Sequence, residues 1–311
     1  MIQREKSLNK GLEEISHYFI SAPLSEERKR GAVADPFRPE TAPGKRKRIL
    51  PVLSTCSDIP TSFFTCHLGL AIARSGRDVF VIDIEKRQPN VESQFGLKPV
   101  ALGLSDILYP SENKLFRNVE PRLRVLDIRL DLGALPSPQR ERDKKLVEML
   151  SREEKLSEWV LINLPRSGAM VLQNLEWASR IRELVIFMDA RSKNRVESYT
   201  FIKALFARMP ELRIYLGVCD VSSAEEAKEI YNKMETGTER FLGKSLVSVG
   251  YILKDPVISQ SVYEQIPLTR GSFPLVQNAL GSMVRILDES DAPDASFFST
   301  DDIPEKKGFE T

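Results

Sequence analysis

The chain has 311 residues, 41% of them hydrophobic, and a formal net charge of +1. This suits one large globular domain with extensions, and the near-zero charge excludes a general electrostatic attraction for nucleic acid. The three cysteines form no C-x-x-C pair and there are two histidines, so we expect no disulfide framework, no bound metal and a reducing, cytoplasmic location. We also expect no signal peptide and no membrane-spanning segment.

Residues 1–48 are predicted to form an extension that precedes the folded domain. Apolar residues at i, i+4, i+7 and i+11 place one stripe on a predicted helix. These residues are Leu8, Leu12, Ile15 and Phe19. The stripe either binds a partner protein or docks on the chain's own domain. Residues 21–48 contain prolines and many charges, so they are predicted to be a linker. The linker ends in a basic cluster, residues 45–48, that we expect to be solvated.

Residues 49–287 alternate between strand-like and helix-like segments. The strand-like segments are 49–54, 79–83, 123–128, 158–163, 184–188, 212–219 and 246–252. The alternation predicts a doubly wound α/β domain, with a mostly parallel sheet of seven to eight strands and helices on both faces. Pro51 is tolerable only near the start of the first strand, because proline has no N–H to donate. Residues 288–311 are acidic and predicted to be a disordered tail.

The segment after the first strand has the position of a phosphate-binding loop but lacks its residue types. Strand, loop, helix and a second strand ending in Asp83 are the usual start of a nucleotide-binding α/β domain. Residues 54–63 read STCSDIPTSF. They contain no glycine to turn backbone N–H groups toward phosphate and no lysine to balance its charge. Pro60 has no N–H, and Asp58 adds negative charge.

Read in order, residues 49–287 resemble the MinD/ParA family of deviant-Walker ATPases, and most of all its FlhG branch of flagellar-number regulators. The family loop S-G-K-G-G-V-G-K-T-[ST] falls on residues 54–63, and the I-D-x-D strand end falls on residues 82–85. The D-x-P-x-G switch falls on residues 163–167, and the G-Y-I-P-x-D segment on residues 250–255. The resemblance implies a P-loop NTPase-like fold with three α/β/α layers.

The resemblance also implies a nucleotide site in which most of the important side chains are replaced. The family-equivalent positions are Ser54, Cys56, Ser57, Thr61, Ser62, Asp83, Asn163 and Cys219. Cys56 stands at the signature lysine, Thr61 at the Walker lysine and Ser62 at the magnesium-binding threonine. Two of these positions have a simpler interpretation: Ser62 as a helix N-cap, and Cys56 as an incidental small residue.

The motifs on the other strands differ in how closely they match the residues of the family. Glu85 stands at the catalytic aspartate, so it and Asp83 resemble remnants of a magnesium and water site. The alternative is that these two carboxylates cap a neighbouring helix or pair with Arg87. Asn163 replaces the aspartate of the switch motif, and Cys219 replaces an adenine-contacting asparagine.

We therefore expect a non-hydrolytic pseudo-ATPase that regulates or scaffolds flagellar, polar or envelope machinery through protein contacts. We expect no cofactor, with MgATP bound only if the loop is functional. The expected partners are an FlhF-like GTPase or another positioning or secretion component, which could recruit the chain to the pole or inner membrane, and a homodimer is one expected state. Two alternatives stay open: an unconventional ATPase activated by a partner, and an accessory protein of exopolysaccharide or cellulose secretion.

Overall fold

The computed structural model describes residues 47–85, 88–98, 116–126, 144–165, 181–264 and 273–290. The chain divides into two units, Met1–Lys45 and Arg46–Thr311, and every described residue belongs to the second. The predicted N-terminal stripe, residue Arg87 and the tail beyond residue 290 lie outside the described residues.

Eight strands form one sheet in the order β3-β4-β2-β5-β1-β6-β7-β8. They are β1 (Arg48–Ser54), β2 (Val79–Asp83), β3 (Phe116–Glu120), β4 (Leu123–Leu126), β5 (Trp159–Asn163), β6 (Glu183–Asp189), β7 (Arg213–Val221) and β8 (Val247–Leu253). Neighbouring strands are parallel except β3 and β4. The predicted, mostly parallel sheet is confirmed, and β3 is an additional strand. The sequence pattern misses β3 because this half-exposed edge strand has no continuous apolar run.

Seven helices lie within the described ranges. They are α1 (Thr61–Arg74), α2 (Val91–Gln94), α3 (Lys144–Leu156), α4 (Ser192–Arg208), α5 (Ala224–Leu242), α6 (Pro256–Glu264) and α7 (Pro274–Glu289). Helices α3, α4 and α5 contribute to one apolar cluster, on the face of the sheet that carries Leu53. Helices α1, α6 and α7 contribute to a second cluster, on the face that carries Val52. The predicted three layers are therefore present, because successive β1 side chains point to opposite faces.

The position of Pro51 differs from the prediction, because it lies in the middle of the central strand β1. Arg48 N–H and the Val52 carbonyl both bond toward β5, so Pro51, one residue before Val52, directs its nitrogen toward β6. Pairing between β1 and β6 begins only at Val52. The missing N–H of Pro51 therefore faces the side where the ladder has not yet started.

The basic residues before the first strand also differ from the prediction. Arg48 is 2% exposed, and its Nε donates to Glu183 Oε2 at 2.8 Å. Its Nη2 donates to Ser290 Oγ at 2.9 Å, and Tyr215 Oη donates to Glu183 Oε1 at 2.9 Å. The expectation of a solvated cluster is thus wrong at Arg48, which joins the amino end of the sheet to the C-terminal end of α7.

Helix α7 also runs further than the sequence indicated. It ends at Glu289, two residues beyond the predicted domain end at 287. Its last turn is fixed to the sheet because Arg48 also donates to the Leu287 carbonyl. Among the helices of the described ranges, none combines the length and apolarity needed to cross a membrane.

Candidate functional site

The candidate site lies at the carboxyl edge of the sheet, where the ends of parallel strands in open α/β folds form ligand crevices. The predicted residues of the loop and of helix α1 follow β1, and Asp83, Asn163 and Cys219 lie at or near the ends of β2, β5 and β7. The fold therefore brings the family-equivalent positions to one edge.

The first N–H groups of the loop after β1 are bonded to the protein itself. Thr55 N–H donates to the Phe187 carbonyl of β6 at 2.9 Å. Cys56 N–H donates to Ser54 Oγ at 3.2 Å. A phosphate-binding loop needs successive N–H groups that point into a shared concavity. These N–H groups are directed to internal acceptors instead.

The middle of the loop is held by a polar cluster that the sequence analysis missed. Ser57 N–H donates to Asp189 Oδ2 at 3.1 Å, and Asn194 Nδ2 donates to Ser57 Oγ at 2.6 Å. Asn194 Nδ2 also lies within 2.9 Å of both Asp189 carboxylate oxygens. Asp58 pairs with Arg191 at 2.7 Å on the surface. An acid directly after an apolar strand was the available signal for Asp189.

The two hydroxyl residues at the start of α1 are also bonded internally. Thr61 Oγ1 accepts the Ser54 N–H at 3.0 Å. Ser62 Oγ donates to the Pro89 carbonyl at 2.8 Å. The N-cap residue of α1 is Pro60, which has no side-chain cap. The alternative interpretation of Ser62 as an N-cap is therefore wrong, because the N-cap lies two residues earlier, at Pro60.

Asp83 is a buried acid with a full set of hydrogen bonds. Its Oδ1 accepts from Asn163 Nδ2 at 2.7 Å and from Glu85 N–H at 2.9 Å, and its Oδ2 accepts from Val91 N–H at 2.8 Å. Burial raises the pKa of Asp83 from 3.8 to about 6, although these hydrogen bonds oppose the shift. Val91 is the first residue of α2, so Asp83 does contact the start of a neighbouring helix.

Asn163 joins β5 to α1 as well as to β2. Its Oδ1 accepts from Thr65 Oγ1 at 3.0 Å while its Nδ2 donates to Asp83. A carboxylate here would place two buried acids 2.7 Å apart, whereas the amide supplies the donor that Asp83 needs. Glu85 is half-buried at the mouth of this cluster.

A bridge between two of the predicted site residues corrects the cysteine expectation. The sulfur atoms of Cys56 and Cys219 are paired, with 163 residues between the two cysteines in sequence. Their Cα atoms are 7.6 Å apart, wider than the usual disulfide span of about 4.4–6.8 Å. No spacing in the sequence signals this pairing, because the two cysteines come together only once β1 and β7 lie on either side of β6. Cys66 is a free, buried thiol in α1. Burial, and to a smaller extent the charge of Asp83, raise its pKa.

His67 occupies an aromatic pocket between α1 and α7. Its ring centroid lies 4.4 Å from that of Phe63 and 5.2 Å from that of Phe273. The residue is 2% exposed, and within the described part of the chain neither ring nitrogen has a hydrogen-bond partner. Burial lowers its pKa to about 3, with a smaller contribution from Arg74. The imidazole is thus a neutral core side chain.

The side chains at this edge do not fit magnesium and a nucleoside triphosphate. The Ser62 hydroxyl and the first loop N–H groups have internal partners, and Pro60 has no N–H. Both buried acids here, Asp83 and Asp189, would face added negative charge without a loop lysine to compensate. Within the described ranges, no group of three or more His, Cys, Asp or Glu residues is arranged to hold a metal ion.

Solved structures resemble this architecture. MinD from Aquifex aeolicus has a TM-score of 0.55 and 17% identity, over 78% of this chain and 98% of that one. The chain has the fold of the MinD and ParA ATPases. MinD from Pyrococcus horikoshii, solved with Mg-ADP, has a TM-score of 0.55 and 17% identity, over 78% and 96%. A Borrelia burgdorferi plasmid partition protein bound to AMPPNP has a TM-score of 0.53 and 17% identity, over 79% and 100%.

These identities show the fold and leave the branch within it undetermined. No protein-family model matches the sequence, and no curated protein is detectably similar to it.

Proposed function

We propose that the chain is a nucleotide-independent regulatory or scaffold protein built on the MinD/ParA ATPase fold, acting through protein contacts. One observation carries the proposal: the loop at the phosphate position is bonded to its own protein. Thr55, Cys56 and Ser57 N–H groups all have internal acceptors, and Ser62 Oγ donates to Pro89. To bind phosphate, the loop would have to break these bonds without a lysine to compensate, at a cost of about 1 kcal/mol for each bond.

The expected role is in positioning flagellar, polar or envelope machinery. The FlhG-like order of motifs supports this role, and one structure of the same fold is a MinC:MinD cell division protein complex from Aquifex aeolicus. A pseudo-ATPase of this kind would bind an FlhF-like GTPase or another positioning component, which would recruit it to the pole or inner membrane. The predicted stripe of Leu8, Leu12, Ile15 and Phe19 is the proposed partner-binding segment.

Calorimetric titration of the full chain with MgATP and MgADP tests the nucleotide part of this proposal. We expect no binding heat up to millimolar ligand, and an unchanged mass in gel filtration. Ser62→Ala is the matched control, because its hydroxyl already bonds to Pro89 and its removal should leave the titration flat. Micromolar binding that Ser62→Ala weakens, or ATP turnover that Glu85→Ala removes, would contradict the proposal.

A second candidate is an unconventional MgATP-dependent ATPase activated by a partner. It is favoured by three oxygen-bearing side chains that remain at one edge of the sheet, those of Ser62, Asp83 and Glu85. A dimer mate or partner would have to supply the missing lysine and displace the Ser62–Pro89 bond. Partner-dependent ATP hydrolysis would support this candidate. A third role, in exopolysaccharide or cellulose secretion, is distinguished by the genes that neighbour this one.

A further inference from the structure

The bridge between Cys56 and Cys219 connects two parts of the site that the sheet keeps apart. Cys56 lies in the loop after β1, Cys219 lies in β7, and β6 runs between these strands. We propose that the two cysteines form a reversible thiol–disulfide couple, which exchanges with small-molecule thiols and disulfides and locks the β1–α1 loop onto β7. This proposal does not rest on the proposed function, because it concerns the loop and not its ligand.

The two sulfur atoms differ in how easily solvent can reach them. Cys56 is 2% exposed, but the next two residues, Ser57 and Asp58, are exposed. The contact that holds the loop from outside is the Asp58–Arg191 ion pair, whose side chains are 58% and 44% exposed. Local opening of the loop breaks this weak exposed pair and the two Ser57 hydrogen bonds to Asp189 and Asn194, and it brings Cys56 to solvent. Cys219 is fully buried in β7.

Because solvent can reach Cys56 more easily than Cys219, the two cysteines act in different steps of the exchange. Cys56, on the loop, is the residue that reacts with the external reagent. Cys219, held in the sheet, is the resolving residue that reacts only with Cys56.

Cys66 provides an internal control on the same chain. It is fully buried in α1, with Sγ 3.9 Å from the Val91 carbonyl and no sulfur partner. Burial raises the pKa of this thiol, and the thiolate is the nucleophile in exchange. Cys66 should therefore stay reduced when the other two cysteines react.

The exchange balances with a glutathione-type disulfide, RSSR, as the oxidant. The Cys56 thiolate attacks one sulfur of RSSR, its proton goes to solvent, and one thiolate RS⁻ leaves and takes up a proton. The Cys219 thiolate then attacks the Cys56 sulfur of the mixed disulfide and expels the second RS⁻. Overall, two protein thiols are oxidised to one disulfide, and RSSR is reduced to two RSH.

The test counts thiols in the full-length protein after equilibration in glutathione buffers of varied reduced-to-oxidised ratio. Samples are quenched in acid, unfolded and alkylated, and their intact masses are measured. We expect three alkylated thiols in the most reducing buffer and one in the most oxidising buffer, with a Cys56–Cys219 linked peptide in the map. Amide exchange in residues 55–59 should slow by about tenfold in the oxidised form, because the bond suppresses local opening.

Three variants sharpen the result. Cys66→Ser should keep the loss of two thiols, whereas Cys56→Ser and Cys219→Ser should each abolish it. If Cys219→Ser does not fold, Cys56→Ser and the wild-type peptide map still decide the matter. Three free thiols at every ratio, a bridge that includes Cys66, or glutathione held on Cys56 without a link to Cys219 would each overturn the proposal. A bridge that persists in fully reduced glutathione would also overturn it, since the couple would then not be reversible.

Discussion

The two ends of the sheet both bury polar groups, but they do so with different chemistry. At the amino end, the Arg48 guanidinium meets the Glu183 carboxylate, with Tyr215 and Ser290 completing the hydrogen bonds. The Arg48 guanidinium also lies 5.2 Å from the Trp159 ring centroid. Both members of this ion pair are at most 2% exposed. Positive and negative charge are matched inside the protein.

At the carboxyl end, the buried charges are negative. Asp83 is surrounded by N–H donors and an amide, and Asp189 by Asn194 and backbone N–H groups. Arg191 Nε lies 3.1 Å from Asp189 Oδ2, but the Arg191 side chain is 44% exposed. Arg191 also forms an ion pair with Asp58. An ATPase site concentrates positive charge at this edge to hold phosphate. The comparison teaches that this sheet pairs its buried charges at the amino end, whereas at the carboxyl end it surrounds buried acids with hydrogen-bond donors.

Substitutions at the amino end of the sheet should lower the free energy of unfolding most, because removing one member of a buried ion pair leaves the other charge uncompensated. We expect Glu183→Leu to lower the free energy of unfolding by about 3–5 kcal/mol. Arg48→Met should lower the free energy of unfolding by less than Glu183→Leu does, since Arg213 remains 3.6 Å from Glu183 Oε1. The variant that carries both substitutions should lose clearly less unfolding free energy than the two single variants lose together. Urea denaturation measures all three.

An exposed ion pair offers the matched control for this experiment. Arg74 and Glu120 pair at 3.3 Å with side chains 53% and 33% exposed. Arg74→Ala should cost at most about 1 kcal/mol. If Glu183→Leu is no more destabilising than this control, the amino-end cluster is not the stabilising contact described above.

At the carboxyl end, the ionisation of Asp83 should oppose folding. Its pKa is raised from 3.8 to about 6 in the fold, so the folded state binds more protons between these values. Stability from this group is therefore present below pH 3.8 and is lost as the pH rises through 6, by about 3 kcal/mol in total. The measurement is the difference in unfolding free energy between wild type and Asp83→Asn from pH 3.5 to 7. If the difference in unfolding free energy between wild type and Asp83→Asn does not change with pH, ionisation of Asp83 does not oppose folding.

A smaller pH-dependent effect is expected at His67, with the opposite pH dependence to that of Asp83. Its pKa falls from 6.5 to about 3 on folding, so the unfolded state binds more protons in this range. Wild type should lose about 2 kcal/mol between pH 7 and pH 5 relative to His67→Leu, which has no proton to bind. Chemical denaturation at both pH values tests this. An equal loss in the two proteins would show that His67 is accessible to protons in the fold.

The apolar segments of the sequence predicted seven strands. They did not predict the edge strand β3, the tolerance of Pro51 or the burial of Arg48. Each of the seven predicted strands corresponds to an observed strand, because the continuous apolar runs of strands buried on both faces are recognisable locally. Edge strand β3 has no such run, and the tolerance of Pro51 depends on where the β6 ladder begins. Burial of Arg48 was not predictable either, because its partner Glu183 is 135 residues away.

The sequence by itself determined the fold and placed the polar residues of strands β1, β2, β5 and β7 at one edge, since parallel strands end on the same side. It also determined that the loop lacks glycine and lysine. Only the tertiary structure decided which partners the remaining polar groups take: Ser62 with Pro89, Asn163 with Asp83, and Cys56 with Cys219. These contacts join residues far apart in the chain, and such pairings depend on how the elements pack and not on local pattern.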